Sequence, residues 1–252
     1  MAAHGRERSG TRRWRSLTPM GTSVASVSIG LLLDILLPPA CAACALPGSP
    51  ACAACLEALE PLAPPWCGGC GAPVPIPVDR CPVCRGRIAG ARQAVAYTGP
   101  APALVSALKD GRRRALAPVM AAVIASRCPP PPLGAALVPV PLGPRRLRER
   151  GFNQSLLLAQ ELSRVWRRPV VDSLARRREG ADQRGARATA RARQASGAFA
   201  PAGRDQVPRT AWLVDDVHTT GATRADCARA LRAGGARSVG AICFARVMTA
   251  DR

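Results

Sequence analysis

Between positions 212 and 223 the chain reads Trp212-Leu213-Val214-Asp215-Asp216-Val217-His218-Thr219-Thr220-Gly221-Ala222-Thr223, and within that run one backbone plan gives way to another. Residues 211–214 are apolar and read as a buried strand. Gly221 punctuates the chain, a helix follows from about Ala222 to Ala233 and is stopped by Gly234-Gly235, and Ser238 to Ala245 reads as a second strand. Such a βαβ unit has a right-handed crossover in nearly every case and puts its turn at the carboxyl edge of a parallel sheet, where open α/β folds bind ligands. Asp215 and Asp216 leave the strand side by side, and paired carboxylates raise each other's pKa unless cations or hydroxyl groups meet them, which suits them to grip a polyol. Thr219, Thr220, Gly221, Ala222 and Thr223 surround a helix amino terminus, where free N–H groups and the helix dipole favour a phosphate. Capping alone asks for one Ser, Thr, Asp or Asn and accounts for neither the second carboxylate nor the third threonine. Carboxylates for ribose hydroxyls beside a phosphate cradle describe a ribose 5-phosphate site.

Upstream, the pattern from residue 93 alternates strand-like and helix-like segments. Gln93 to Tyr97 reads as a strand, Gly99-Pro100 opens a helix through Lys109, and Leu116 to Arg127 is a second helix ended by the prolines at 129–132. Ala136 to Val140 is a buried strand that exits through Pro139 and Pro141. A basic loop carrying Arg145, Arg146 and Arg150 follows, then a helix from Gln154 to Val165 and a strand from Pro169 to Leu174. Residues 176–196 are dense in Arg, Gly and Ala and bury little, so a mobile loop or a poorly packed helix is expected there.

Eight of the eleven cysteines form four CxxC pairs: Cys41/Cys44, Cys52/Cys55, Cys67/Cys70 and Cys81/Cys84. Two such knuckles complete a tetrahedral four-thiolate site, and the glycines at 68, 69, 71 and 86 let backbone amides approach the sulfurs. Nearest-neighbour grouping puts Cys41, Cys44, Cys52 and Cys55 on one zinc and Cys67, Cys70, Cys81 and Cys84 on another. The intervening loops of seven and ten residues also admit a crossed pairing or a single occupied site. Four thiolates leave no open coordination position, so the metal is expected to be structural. Cys128, Cys227 and Cys243, isolated among Ala and Val, read as small core residues.

The chain has 252 residues, 48% hydrophobic but 3% aromatic, so its core must be built from Ala, Val, Leu and Pro. Thirty-six basic against 16 acidic residues give a net charge of +20, a field that attracts polyanions; Lys109 is the one lysine among those basic residues. An acidic binder, a collagen-like fibre and a multi-span membrane protein are excluded, since no run of about 20 uncharged apolar residues occurs. Arg12-Arg13-Trp14-Arg15 before an apolar run from about Val24 to Leu37 imitates a twin-arginine export signal. Asp34 inside that run argues against export, as does the loss of Cys41 that cleavage at Ala42 would bring. The expectation is a disordered basic tail (1–27) leading into a short helix from Ser28 to Leu37, a cysteine-rich metal module (28–90), an α/β domain (91–252) and a cytoplasmic location without stable membrane insertion. Met20 is an alternative start.

The run 212–223 resembles the PRPP-binding loop of type I phosphoribosyltransferases. Val138-Pro139-Val140-Pro141-Leu142, with Arg145-Arg146-Leu147-Arg148-Glu149-Arg150-Gly151-Phe152-Asn153-Gln154 after it, resembles a block of the ComF family of competence-associated phosphoribosyltransferase-like proteins, as do Ala107-Leu108-Lys109 and the CxxC array. The resemblance, over about residues 31–247, implies a type I phosphoribosyltransferase-like core, a parallel sheet flanked by helices, preceded by a small double zinc-ribbon module. It further implies that Asp215 and Asp216 bind the ribose 2- and 3-hydroxyls of PRPP, Thr219 to Thr223 its 5-phosphate, and Arg145, Arg146 and Arg150 its pyrophosphate, with Mg²⁺ bridging pyrophosphate and ribose oxygens. His218 stands where the family often has Tyr and reads as a plain loop residue. Gln183 to Phe199 match the family's pattern only loosely, at Gln183, Arg193 and Gln194.

Two functions are then expected to compete. One is a phosphoribosyltransferase acting from Mg-PRPP on an unidentified acceptor. The other is a catalytically weak or inactive scaffold that binds single-stranded DNA or a competence helicase through its Arg clusters. Trp14, Trp66, Trp166 and Trp212 are too scattered to form a base-stacking platform, so DNA binding would be mostly electrostatic.

Overall fold

The computed structural model describes residues 39–62, 64–82, 84, 88–177, 197–202 and 207–248. The basic tail, the 28–37 helix, Gly86 and the 178–196 part of the Arg-rich segment lie outside the described residues. The described residues belong to one compact unit.

Four parallel strands make the central sheet: β1 (Ala91–Ala96), β2 (Ala136–Pro139), β5 (Thr210–His218) and β6 (Ser238–Arg246), in the order β1-β6-β5-β2. A second sheet pairs β3 (Leu174–Arg176) with β4 (Phe199–Pro201) antiparallel. The helices are α1 (Ala53–Glu57), α2 (Ala101–Lys109), α3 (Leu116–Arg127), α4 (Pro144–Arg150), α5 (Gln154–Trp166) and α6 (Ala222–Ala233).

Parallel strands covered on both faces read as unbroken apolar runs rather than alternating ones, and residues 239–245 of β6 are all buried. On one face Leu104 and Leu108 of α2, Met120 and Ile124 of α3, and Leu158 and Leu162 of α5 pack with Leu137, Val214, Ile242 and Phe244. On the other, Cys227 and Leu231 of α6 meet Val138, Leu213, Val239 and Ala241. Burying each of these leucines stabilises the fold by about 1.5–3 kcal/mol. With so few aromatics the layers must approach closely, and a Cβ at Gly240 would fall 2.5 Å from Trp212 Cε2. Cys128 and Cys227 belong to these cores, and Cys243 on β6 is likewise buried.

The structure changes the expected elements at four places. The basic loop after Pro141 is instead α4: Pro144 fits the first turn of a helix, Arg145 pairs with Glu149 one turn on, and Gly151 closes it at φ 76. The strand expected over Pro169–Leu174 contributes one parallel bridge, Val170 to Leu137, and regular pairing begins only at Leu174. β4 was not anticipated. β5 runs past Val214 to His218, because Asp215, Val217 and His218 pair with Cys243, Ala245 and Arg246 of β6.

The cysteine-rich segment is fastened to the sheet. Gln93 Nε2 donates to the Cys70 carbonyl at 3.1 Å, as does Arg246 Nη1 at 3.1 Å. A Cβ at Gly71, whose φ is +71, would lie 2.4 Å from the Ala91 carbonyl oxygen. Among the described residues no helix is long and apolar enough to cross a membrane.

Candidate functional site

Asp215 and Asp216 sit near the carboxyl end of β5, on the sheet edge that the βαβ unit predicts. The Lys109 ammonium, on the last residue of α2, forms an ion pair with Asp216 Oδ2. Asp215 Oδ1 accepts from Ser155 Oγ at 3.2 Å and from the Asp216 backbone N–H at 3.0 Å. Ser155 is brought there by local sequence. Asn153 caps α5 by accepting from the Ser155 N–H at 3.0 Å, and its amide donates to the Val140 carbonyl at 3.1 Å, which ties the helix start to the end of β2.

Burial and the neighbouring Asp216 charge push the Asp215 carboxyl up to about 7. Burial acts on Asp216 in the same sense, but the Lys109 ammonium outweighs it and holds this carboxyl below the usual range. The pair is therefore chemically unequal: near neutral pH one member is a carboxylate and the other can donate a proton or a hydrogen bond.

Of the predicted arginines, Arg150 reaches this neighbourhood, bonding Asp110 Oδ1 and Gln154 Oε1 at 3.1 Å each. Arg145 and Arg146 lie on α4, where Arg145 pairs with Glu149 at 3.2 Å. Thr219, Thr220 and Thr223 are exposed on the turn into α6, with Gly221 at φ +78 and half-buried Ala222 beside it. Gly221 at the N-cap offers no side chain, and the Ala222 N–H makes only a long bond, 3.5 Å, to Thr220 Oγ1, an arrangement at a helix amino terminus that suits an anion. His218 is not a plain loop residue: it ends β5, is buried, and its Nε2 lies 2.9 Å from Arg224 Nη2. Burial and the Arg224 and Arg246 charges push the imidazole down to about 2, so it is neutral and accepts from Arg224.

Lys109 and Ser155 were not among the residues predicted for the site. The signal for Lys109 was present: a lysine survives at one position in a chain that otherwise uses only arginine. Ser155 had none, because a serine in the first turn of a helix is ordinary.

The cysteines form two groups, Cys41/Cys44/Cys52/Cys55 and Cys67/Cys70/Cys81/Cys84, each with its Sγ atoms within 4.8 Å of one another. This is the nearest-neighbour grouping. The Sγ pairs Cys44–Cys52 and Cys67–Cys84 lie 3.6 Å apart and Cys70–Cys81 3.7 Å, against about 3.8 Å for the edge of a tetrahedron with Zn–S of about 2.3 Å. Either group could hold a zinc ion. Burial opposes ionisation of Cys41, but the N–H groups of Cys52, Cys44 and Ala43 bring its thiol down to about 6. Cys67 follows the same rule: burial is outweighed by the N–H groups of Cys70, Cys81 and Gly69, and the thiol is again brought down to about 6. Each group thus offers one ready thiolate to a divalent cation, whose charge then makes the other three easier to deprotonate.

The structure thus joins a parallel α/β sheet, an acid pair at its carboxyl edge and two four-cysteine groups. No family model matches the chain. It is 35% identical over 196 residues, 72% of its own length and 84% of the relative's, to DNA utilization protein YhgH of Salmonella typhi. It is 37% identical over 163 residues, 60% and 70% of the two lengths, to the protein of that name in Escherichia coli (strain K12). To Competence protein F of Haemophilus influenzae it is 37% identical over 107 residues, 41% and 47% of the two lengths. The chain belongs to the ComF family.

Proposed function

We propose that the carboxyl edge of the sheet binds PRPP as its magnesium complex and that the protein serves DNA utilization or competence, as the names of its relatives suggest. The observation that carries this reading is the unequal acid pair, Asp216 buried and Asp215 half-buried, directly before the threonine turn at a helix amino terminus. Asp215 and Asp216 would hold the ribose hydroxyls, the Thr219–Thr223 turn the 5-phosphate, and Arg150 with Arg145 and Arg146 the pyrophosphate end. Magnesium, carried with the pyrophosphate as part of the substrate, neutralises the leaving group. In transfer, an acceptor nucleophile bonds to C1 as the C1–pyrophosphate bond breaks, so the protein's share is positioning and leaving-group neutralisation.

A second reading, single-stranded DNA binding, has one observation in its favour. Arg112 donates to the Glu149 carbonyl and Arg114 to that of Gly151 at 3.1 Å, which joins two arginine-rich segments into one surface. Affinity there would fall with salt at a slope of about −0.7 per phosphate contacted.

Calorimetric titration of the zinc-loaded protein with PRPP, with and without Mg²⁺, separates the two. Saturable Mg²⁺-dependent binding that disappears in the Asp215→Asn/Asp216→Asn double variant is expected. Absence of PRPP binding, with salt-sensitive binding of an oligonucleotide, would overturn the first reading in favour of the second.

A further inference from the structure

The acid pair is held by a cation that the site would not need if the two carboxylates merely faced solvent. Lys109 ends α2, where the helix dipole favours a positive charge, and its ammonium lies against an Asp216 carboxylate whose side chain is 3% exposed. Asp215, one residue earlier, takes its hydroxyl donor from another element, Ser155 on α5. We infer that Lys109 is a positioning residue, which fixes Asp216 against the end of α2 as the permanent anion of the pair and leaves Asp215 as the member that adjusts to a bound sugar. The inference rests on the sugar-phosphate reading of this edge and adds to it a division of labour between the two acids.

The charged groups around the pair support the assignment. From α2 come Lys109 and Asp110; from α4, Arg150, which Asp110 and Gln154 already engage. From β5 and α6 come His218, Arg224 and the thiol of Cys227, and from β6 come Cys243 and Arg246. His218 is neutral, Arg224 is turned to His218 and Cys243, and Arg246 to Cys70 and Gln93. Among the described residues, Lys109 is the cation recorded in contact with either carboxylate. A compact ammonium suits this post better than a guanidinium, because it is a point charge with three donors on a flexible stem. In a chain that elsewhere carries only arginine, that difference in chemistry explains why a lysine stands here.

The test reads the carboxylates directly, so it does not depend on any ligand. In the full chain with ¹³C-labelled aspartate, carboxyl resonances are titrated by NMR and assigned with Asp215→Asn and Asp216→Asn. Asp216 is expected to titrate below the ordinary aspartate range and Asp215 near neutral; in Lys109→Met the Asp216 midpoint should rise by a unit or more, and in Lys109→Arg it should stay partly lowered. If Lys109→Met fails to fold, the wild-type titration together with Lys109→Arg still decides. Two carboxyls titrating alike in the ordinary range, or a Lys109→Met profile superimposed on wild type, would overturn the inference. PRPP titration of the same variants at pH 6 and pH 8 then tests the use of the pair. A Lys109→Met affinity loss at least tenfold larger at pH 6 is expected, and loss of equal size at both values would contradict the assigned role. Failure of the wild type to bind PRPP, with the carboxyl titrations as expected, would sink the ligand reading and leave the role of Lys109 standing.

Discussion

Asp215 is kept in a place that a carboxylate resists. Its pKa is raised to about 7 in the folded chain and is about 3.9 in an unfolded one, so between those values the folded state holds a proton that the unfolded state has lost. The sign follows from linkage: this group's contribution to stability is intact below pH 4 and is lost as pH rises through 7. Asp215→Asn removes the loss, and denaturant titration should show the variant gaining up to about 4 kcal/mol over wild type at pH 8 but little at pH 4. His218 runs the other way. Its folded pKa is lowered, to about 2, so stability present above pH 6.5 is lost as pH falls below it. His218→Asn keeps an acceptor for Arg224 while removing the titration, and its acid-unfolding midpoint should lie at lower pH than that of the wild type. An unchanged midpoint would mean that the imidazole is protonated in the fold after all.

Elements are where sequence and structure part company, and the reasons are physical. The βαβ unit was legible because strand, glycine turn, helix and glycine stop each carry a strong local signal that agrees with the others. Helix α4 was missed because its Arg-rich composition has no apolar face: it stands on a proline start, an ion pair one turn apart and a left-handed glycine end, none of which shows as hydrophobic periodicity. β3 and β4 are three residues each and exist only by pairing with one another, a non-local fact that no window of sequence contains. In the site, the acid pair and the threonine turn could be read from one contiguous run, whereas Ser155 and Lys109 arrive from helices distant in sequence. The join between the cysteine segment and β1 was equally hidden, and its closest backbone approach is at one position. Gly71 has a left-handed φ and no room for a side chain against the Ala91 carbonyl. Gly71→Ala combines a backbone cost of about 1–2 kcal/mol with overpacking of about 1–3 kcal/mol, and a thermal melt should show a loss of about 2–5 kcal/mol.

Across the whole molecule, the four-cysteine groups and the sheet form one structure rather than a module and a passenger. The Cys70 carbonyl takes hydrogen bonds from Gln93 on β1 and Arg246 on β6, so whatever orders Cys70 also orders two neighbouring strands. Cys67→Ser/Cys70→Ser should therefore release metal and also lower the melting temperature of the sheet, read by amide exchange at residues 91–96 and 241–246; retention of full metal content would refute the second four-thiolate site. The four CxxC pairs were legible from spacing alone, because two residues between cysteines is a local geometric requirement of a metal knuckle, whereas the fold decides which pairs come together. A different property of the chain follows from Lys109 being its single lysine. Besides the terminal amine, an acylating or reductively methylating reagent meets one side-chain amine in all 252 residues, and that amine touches the acid pair. Ordinary amine chemistry, which marks most proteins indiscriminately, would here report on one position: an isotopically methylated Lys109 gives one new resonance, and a sugar phosphate lodged at the sheet edge would slow its labelling without any engineered probe.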